Sequence, residues 1–389
     1  MKKIVIACRA YYPDVAGGGE ISTRVLAEQL ASVGYNVEVL AIGNETCTNV
    51  QNGIKINRIK YRNIYWSYNN KNISVVKKLI WHSLDCNNFL IGEMISNVLK
   101  EIKPDILITS TIEDLSSIIW KIAKSQGIRV MHILRSYSLI CVNANMFKKD
   151  NCKKICTTCK PFSILKKENS KYVDDVIGIS EFILNVHLTY GYFKNARSHV
   201  IYNMCMDEIL LERSYNGFRE NKIRIGYLGR IHKTKGIELI VEAVSGLSDS
   251  HKNNILFKIA GTGDEDYINE LTKLANAKNV KCSFEGVIPA NQLLDQIDLL
   301  IVPSKWNEPF GRVVIESLGR RVPVAAKRVG GIPELLNDNE DFLFNTIEEL
   351  TSIIKCYVNK SINFNFNLSR FENKRIINDW TKVLGGLGA

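Results

Sequence analysis

A pattern that occurs twice constrains this chain most: a short apolar run, a glycine-bearing turn, then a stretch with helical spacing. Residues 3–7 form the first such run. Gly17-Gly-Gly-Glu20 follows, and Ile21, Val25, Leu26 and Leu30 then recur on one helix face. Residues 37–42, 105–109 and 129–133 read as further strands, with a helical stretch near 112–125. A second series opens with a strand at 223–229 and a helix at 235–244, and continues through strands at 255–260, 280–284, 299–302 and 322–326. Unbroken apolar strands alternating with helices predict parallel sheets covered on both faces. The expected class is therefore α/β, with two Rossmann-like doubly wound units in tandem. Ligands of such sheets bind beyond the carboxyl ends of the strands, so two facing units would line one cleft.

The length of 389 residues agrees with two domains. The expected boundaries are 1–203, containing a Cys-rich basic insertion near 141–171, and 204–370. Helices are expected near 348–358 and 370–384, and the segment 371–389 could cross back to the first domain. No apolar run is long enough to span a bilayer. The N-terminal run stops at Arg9, which suits a buried strand better than an export signal, so a cytoplasmic location is expected. The net charge of +11 lies entirely in residues 1–200, with 27 Lys and Arg against 16 Asp and Glu, whereas the remainder balances at 24 each. A one-sided basic surface points to a polyanionic partner.

The densest cluster of chemistry is Pro303-Ser-Lys-Trp-Asn-Glu-Pro-Phe-Gly-Arg-Val-Val-Ile-Glu-Ser-Leu-Gly319. Glu308 falls in a loop at a strand end, and a helix opens near Gly311, so helix N–H groups form an anion site there. Glu316 sits about one turn inside that helix, where a carboxylate can accept two hydrogen bonds from a ribose diol.

Glu-Pro-Phe-Gly, followed after four intervening residues by a second Glu, resembles the signature of the retaining GT-B glycosyltransferases of family four. The Gly17–Glu20 turn, Tyr227-Leu-Gly-Arg230 with Lys235-Gly236, Val200-Ile-Tyr-Asn203 and Gly330-Gly-Ile-Pro-Glu334 fit the same family in order and spacing. The resemblance implies a donor-binding second domain and an acceptor-binding first domain. It places Arg230 and Lys235 on the donor diphosphate, Glu316 on the ribose, and Glu308 beside the donor sugar with the amides of Phe310 and Gly311. Gly17, Gly18 and Gly19 would admit the donor close to the backbone. Where many members carry His-Asp, this chain has Arg135 and Ser136. An arginine stays protonated and cannot act as a base, so Arg135 is expected on the donor or its phosphate, and His132 reads as a strand residue. The family further implies retention of configuration by front-face attack, no cofactor or metal for turnover, a nucleotide-diphosphate sugar (uridine by default) as donor, and a glycan or lipid-linked acceptor in bacterial surface polysaccharide assembly.

Cys141, Cys152, Cys156 and Cys159 crowd together, and four thiolates make a closed tetrahedral zinc site. A structural zinc is the first expectation there, with free or redox-labile thiols and disulfides as alternatives. The same stretch is lysine-rich, and residues 51–100 interleave basic residues with Tyr61, Tyr65, Trp66, Tyr68 and Trp81, a composition suited to docking on the anionic inner face of the cell membrane. Two other readings compete. One is a related GT-B enzyme such as an epimerase or phosphorylase. The other is a zinc-containing nucleic-acid-binding protein, which the placement of the phosphate-facing residues in the neutral half argues against, so no nucleic-acid partner is expected.

Overall fold

The computed structural model describes residues 2–14, 17–68, 73–206, 209 and 222–386. The chain divides into two units. The first takes residues 1–146, 152–204 and 373–389, and the second takes 147–151 and 205–372.

The first unit is built on β1 (Lys3–Cys8), β2 (Asn36–Gly43), β3 (Cys47–Gln51), β4 (Ile54–Lys60), β5 (Ile106–Thr111), β6 (Arg129–Leu134), β7 (Asp175–Gly178) and β8 (Arg197–Val200). Their order is β3-β4-β2-β1-β5-β6-β7-β8. Every pairing is parallel except β3 with β4, an antiparallel hairpin turned at Asn52 and Gly53. The central strands are buried along nearly their whole length, which is why they read as apolar runs. β3 is solvent-facing and carries no such run, so periodicity does not reveal it.

Six helices flank this sheet: α1 (Gly18–Ser32), α2 (Val75–Cys86), α3 (Phe89–Ile102), α4 (Ile118–Ser125), α5 (Lys160–Asn169) and α6 (Glu181–Thr189). Asn88 caps α3, its Oδ1 accepting the N–H groups of Leu90 and Ile91, and Ser180 caps α6 through Ile183. The helical stretch expected from 112 begins only at Ile118. Before it, Asp114 and Ser116 both adopt left-handed backbone, with φ of 66° and 65°. Helix Asn373–Gly385 also belongs to this unit, and Lys2 and Arg129 donate to its carbonyls at Val383 and Leu384. Residues 387–389 of the expected closing segment lie outside the described residues.

The second unit orders its strands β11-β10-β9-β12-β13-β14. These are β9 (Ile223–Leu228), β10 (Ile255–Ala260), β11 (Cys282–Gly286), β12 (Leu299–Val302), β13 (Val324–Lys327) and β14 (Leu343–Phe344), all parallel. Buried Asp298 locks the start of β12 to β9 by accepting the backbone N–H and the guanidinium of Arg224.

Two expectations change. The sequence places the stretch 141–171 whole in the first domain, but residues 147–151 group with the second unit, to which Asn151 is hydrogen-bonded. The aromatics between 61 and 81 do not form an exposed belt. Trp66 and Trp81 are buried and the tyrosines half-buried, because Trp81 donates its indole N–H to Asp114 and to the carbonyl of Tyr65 inside the fold.

Candidate active site

In the second unit β12 ends at Val302 and the chain enters the loop that carries Glu308. One oxygen of Glu308, Oε1, accepts three hydrogen bonds, from Lys235 Nζ at 2.5 Å, Ser304 Oγ at 2.6 Å and Trp306 Nε1 at 3.0 Å. The Lys235 ammonium also lies 5.3 Å from the centre of the Trp306 ring. Side-chain exposures of 17% for Lys235 and 12% for Glu308 put the pair in low dielectric, where such contacts strengthen.

The loop is pinned on three sides. Lys305 N–H donates to Thr234 O at 2.9 Å, and Gly331 N–H donates to Glu308 O at 2.8 Å. Asn151 grips it like a strand partner: Nδ2 donates to Lys305 O at 2.9 Å and Oδ1 accepts from Asn307 N at 2.7 Å. Two glycines allow this packing. A Cβ at Gly236 would stand 2.4 Å from Pro303 O, and one at Gly330 would stand 2.1 Å from Glu308 O. Both also have left-handed φ, at 67° and 60°. A pocket of about 500 Å³ beside the loop is bordered by Lys148, Lys149, His232, Lys233, Thr234 and Lys305.

Arg230 follows β9. Its carbonyl accepts the Tyr227 hydroxyl at 2.7 Å, and burial together with nearby Glu308 pushes that phenol far above its ordinary pKa, so it remains a neutral donor. The Arg230 side chain is exposed and has no ion-pair partner among the described residues. Helix Arg312–Gly319 opens after Gly311, next to buried Phe310. On it Glu316, also buried, accepts from Arg312 Nε at 2.7 Å. The structure thus joins Lys235 directly to Glu308, gives Glu316 a different partner, and leaves Arg230 facing solvent. Two cations and two carboxylates, of which only Glu308 lies on the loop, offer groups that can hold a diphosphate and hydrogen-bond sugar hydroxyls.

In the first unit Gly17 precedes α1, and Gly18 and Gly19 are its first residues. Neither Gly17 nor Gly19 is required by packing: a Cβ on Gly19 would meet Thr111 at 3.7 Å and Arg135 at 4.0 Å, both ordinary contacts. Glu20 is buried and accepts from Arg9 Nε at 3.0 Å. Arg135, just past β6, donates from Nε to Ser110 Oγ at 2.6 Å and from its guanidinium to Asn203 Oδ1. His132 is in the core, bonded to Thr109 Oγ1 at 2.8 Å and packed on Phe193 and Trp120. Burial drives its pKa down to about 3, so it is a neutral core residue.

Cys156 and Cys159 bring their sulfurs to 3.3 Å, but among the described residues no three His, Cys, Asp or Glu side chains converge in a way that could hold a metal ion. Residues 147–151, between Cys141 and Cys152, group with the second unit, and burial pushes the thiol of Cys159, at the N-cap position of α5, up to about 12.

Sequence reasoning missed Asn151, Ser304 and Trp306. The last two lie inside the motif at 303–319, so their neighbourhood was a usable signal. Asn151 reaches a loop more than 150 residues away, and no local pattern marks it.

Two doubly wound parallel units with a cation–carboxylate cradle after the fourth strand of the second define a GT-B transferase fold. Solved structures agree over the whole length. HepE of Anabaena, crystallised with UDP, superposes with a TM-score of 0.74 at 17% identity, covering 100% of both chains. The lipopolysaccharide outer core galactosyltransferase WaaB gives 0.64 at 15% identity over 99% of each. Residues 209–360 match the family described as glycosyl transferases group 1. A Klebsiella pneumoniae relative, an uncharacterized 42.6 kDa protein in the cps region, is 33% identical over 356 residues, covering 90% of this chain and 92% of its own. The uncharacterized glycosyltransferase MJ1607 of Methanocaldococcus jannaschii is 23% identical, covering 86% and 82%. The chain belongs to the group 1 glycosyl transferases and is a glycosyltransferase.

Proposed function

We propose that this chain is a retaining hexosyltransferase that moves a sugar from a UDP-sugar to a glycan or lipid-linked acceptor in bacterial surface polysaccharide assembly. The Lys235–Glu308 contact carries the reading: a cation held at 2.5 Å from a carboxylate on a pinned loop is a preformed half-site for a diphosphate and its sugar. The solved HepE complexes with UDP and UDP-glucose support the donor class, and the relative in a cps region supports the pathway class. In this reading Arg230 and Lys235 take the diphosphate, and Lys235 exchanges Glu308 for a phosphate oxygen. Glu316 takes the ribose diol. Glu308, with the amides of Phe310 and Gly311, orients sugar hydroxyls. On the first unit, Arg135 and the Gly17–Gly19 turn are the proposed donor-contacting residues.

The acceptor hydroxyl attacks the anomeric carbon on the face the leaving group departs from. The anomeric C–O bond to the β-phosphate breaks, and a phosphate oxygen takes the acceptor proton. Such chemistry asks for positioning and charge stabilisation rather than a protein base. The cations of Lys235 and Arg230 can neutralise the leaving diphosphate, so turnover should persist in chelator.

Calorimetric titration of UDP, GDP, ADP and CDP in chelator, with Arg230→Ala and Glu316→Ala alongside, tests this. UDP should bind at micromolar strength, about 8 kcal/mol, and each substitution should weaken it at least about tenfold. No binding by any diphosphate, or mutants that bind as the parent does, would remove the donor-site reading.

A further inference from the structure

In the first unit the chain leaves β1 through α1 to lay β2 on one side, and returns later to lay β5 on the other, so the strand order reverses between β1 and β5. The crevice beyond the carboxyl ends of two such strands is where a doubly wound sheet takes its ligand. Arg9 and Glu113 stand at that point. A register shift at the end of β1 sets Cys8 opposite Thr111, and the next residue, Arg9, donates its N–H to Thr111 Oγ1 at 3.1 Å. Glu113 lies two residues past β5, in a turn that its neighbours hold. Asp114 N–H donates to Asp85 Oδ1 at 2.8 Å, and the Asp114 carboxylate accepts from Ser67 Oγ at 2.5 Å and Trp81 Nε1 at 3.1 Å. Ser116 N–H closes on Ile112 O at 2.9 Å.

The acids around Glu113 are matched. Glu20 accepts from Arg9 Nε at 3.0 Å, and Asp85 pairs with buried Lys166 at 3.3 Å. Glu113 Oε2, by contrast, is buried with no hydrogen-bond partner among the described residues. A buried carboxylate oxygen is costly to leave bare and calls for a donor. Arg9 lies within its electrostatic reach. Burial disfavours the guanidinium charge, yet the carboxylates of Glu113, Glu20 and Asp114 outweigh burial and hold the Arg9 pKa above its ordinary value. The ion pair of Arg9 is nevertheless with Glu20, through Nε, and its Nη groups donate to no described residue. A ligand group that serves both side chains must donate to Glu113 and accept from Arg9. A hydroxyl does both. A phosphate or carboxylate has no proton to give, and an ammonium has no lone pair to offer. Resting on the transferase reading and extending it, we propose that Arg9 and Glu113 grip a hydroxyl of the acceptor and select an uncharged sugar there.

Saturation-transfer NMR titration of the full chain, with and without UDP, tests this. The neutral ligands are the methyl glycosides of glucose, galactose, mannose and N-acetylglucosamine, and the charged ones are glucuronic acid and glucose 6-phosphate. At least one neutral glycoside should bind, and the charged sugars should bind more weakly. Glu113→Leu removes the acceptor oxygen at similar volume and should raise the dissociation constant of that glycoside at least about tenfold, the worth of a hydrogen bond to a charged group. Glu113→Gln keeps an acceptor without its charge, so it should fall between, and it carries the test if Glu113→Leu unfolds. The proposal is overturned if no neutral glycoside binds in either condition, if a charged sugar binds as tightly, or if the variants match the parent. Calorimetry with UDP separates the two readings. UDP binding without glycoside binding removes this inference alone, and glycoside binding without UDP binding removes the donor reading alone.

Discussion

At the scale of single residues, the site depends on how firmly one carboxylate is aimed. Glu308 receives three donors on one oxygen, yet its position is set by backbone contacts that other residues make to its loop. Asn151 makes two of them, at 2.9 and 2.7 Å, and touches no titratable group of the site. Asn151→Ala should therefore slow UDP release from the donor about tenfold, the worth of one to two hydrogen bonds, with little change in thermal stability. Asn151→Asp keeps the acceptor for Asn307 N–H and loses the donor to Lys305 O, so it should fall between. Rates equal to the parent in both variants would show that the loop holds without this grip.

Elements meet in this molecule at points that tolerate no added atom. The turn at Gly330 and Gly331 backs the Glu308 loop, and Gly330 combines a φ of 60° with a Cβ position 2.1 Å from Glu308 O. Strain and overlap act together in Gly330→Ala, which should cost about 2 kcal/mol or more and lower the melting temperature by several degrees. It should also weaken UDP binding, since relief of the overlap must move Glu308. An unchanged melting curve would contradict the packing described. The turn in the first unit behaves oppositely: Gly17 and Gly19 have room for a Cβ.

Across the whole molecule, the basic excess and the buried acids shape the response to pH. Asp175 in β7 gathers Arg129 from β6 and Arg197 and His199 from β8, tying three strands at one point. Burial alone would raise its pKa, but the hydrogen bonds from His199, Arg197 and Arg129 outweigh it and bring the carboxyl down to about 2. A folded pKa below the unfolded value of about 3.9 means the stabilisation is complete above the unfolded pKa and is lost as pH falls towards the folded one. Asp175→Asn should thus be less stable than the parent near neutrality, and the gap should close between about pH 5 and pH 2. Denaturant unfolding across that range measures it, and a gap independent of pH would show that the carboxylate charge is not the source.

What could be read without coordinates was local or repetitive. The strands at 3–8, 36–43, 223–228, 255–260 and 299–302 announce themselves because a strand buried on both faces must be apolar throughout. The contiguous cluster at 303–319 shows itself because its loop, helix start and carboxylates sit within one short stretch. Everything decided by distant contacts stayed hidden. The edge strand β3 has no apolar period. Trp66 and Trp81 look interfacial until their partners bury them, whereas the apolar stripe on α2 looks like core until the fold leaves it outside. Four cysteines have plausible metal spacing, yet among the described residues no group of three ligands is placed to hold an ion. Composition and spacing state which groups are available. Which of them meet is a matter of tertiary packing, where a contact such as that of Asn151 with the Glu308 loop forms across more than 150 residues of chain.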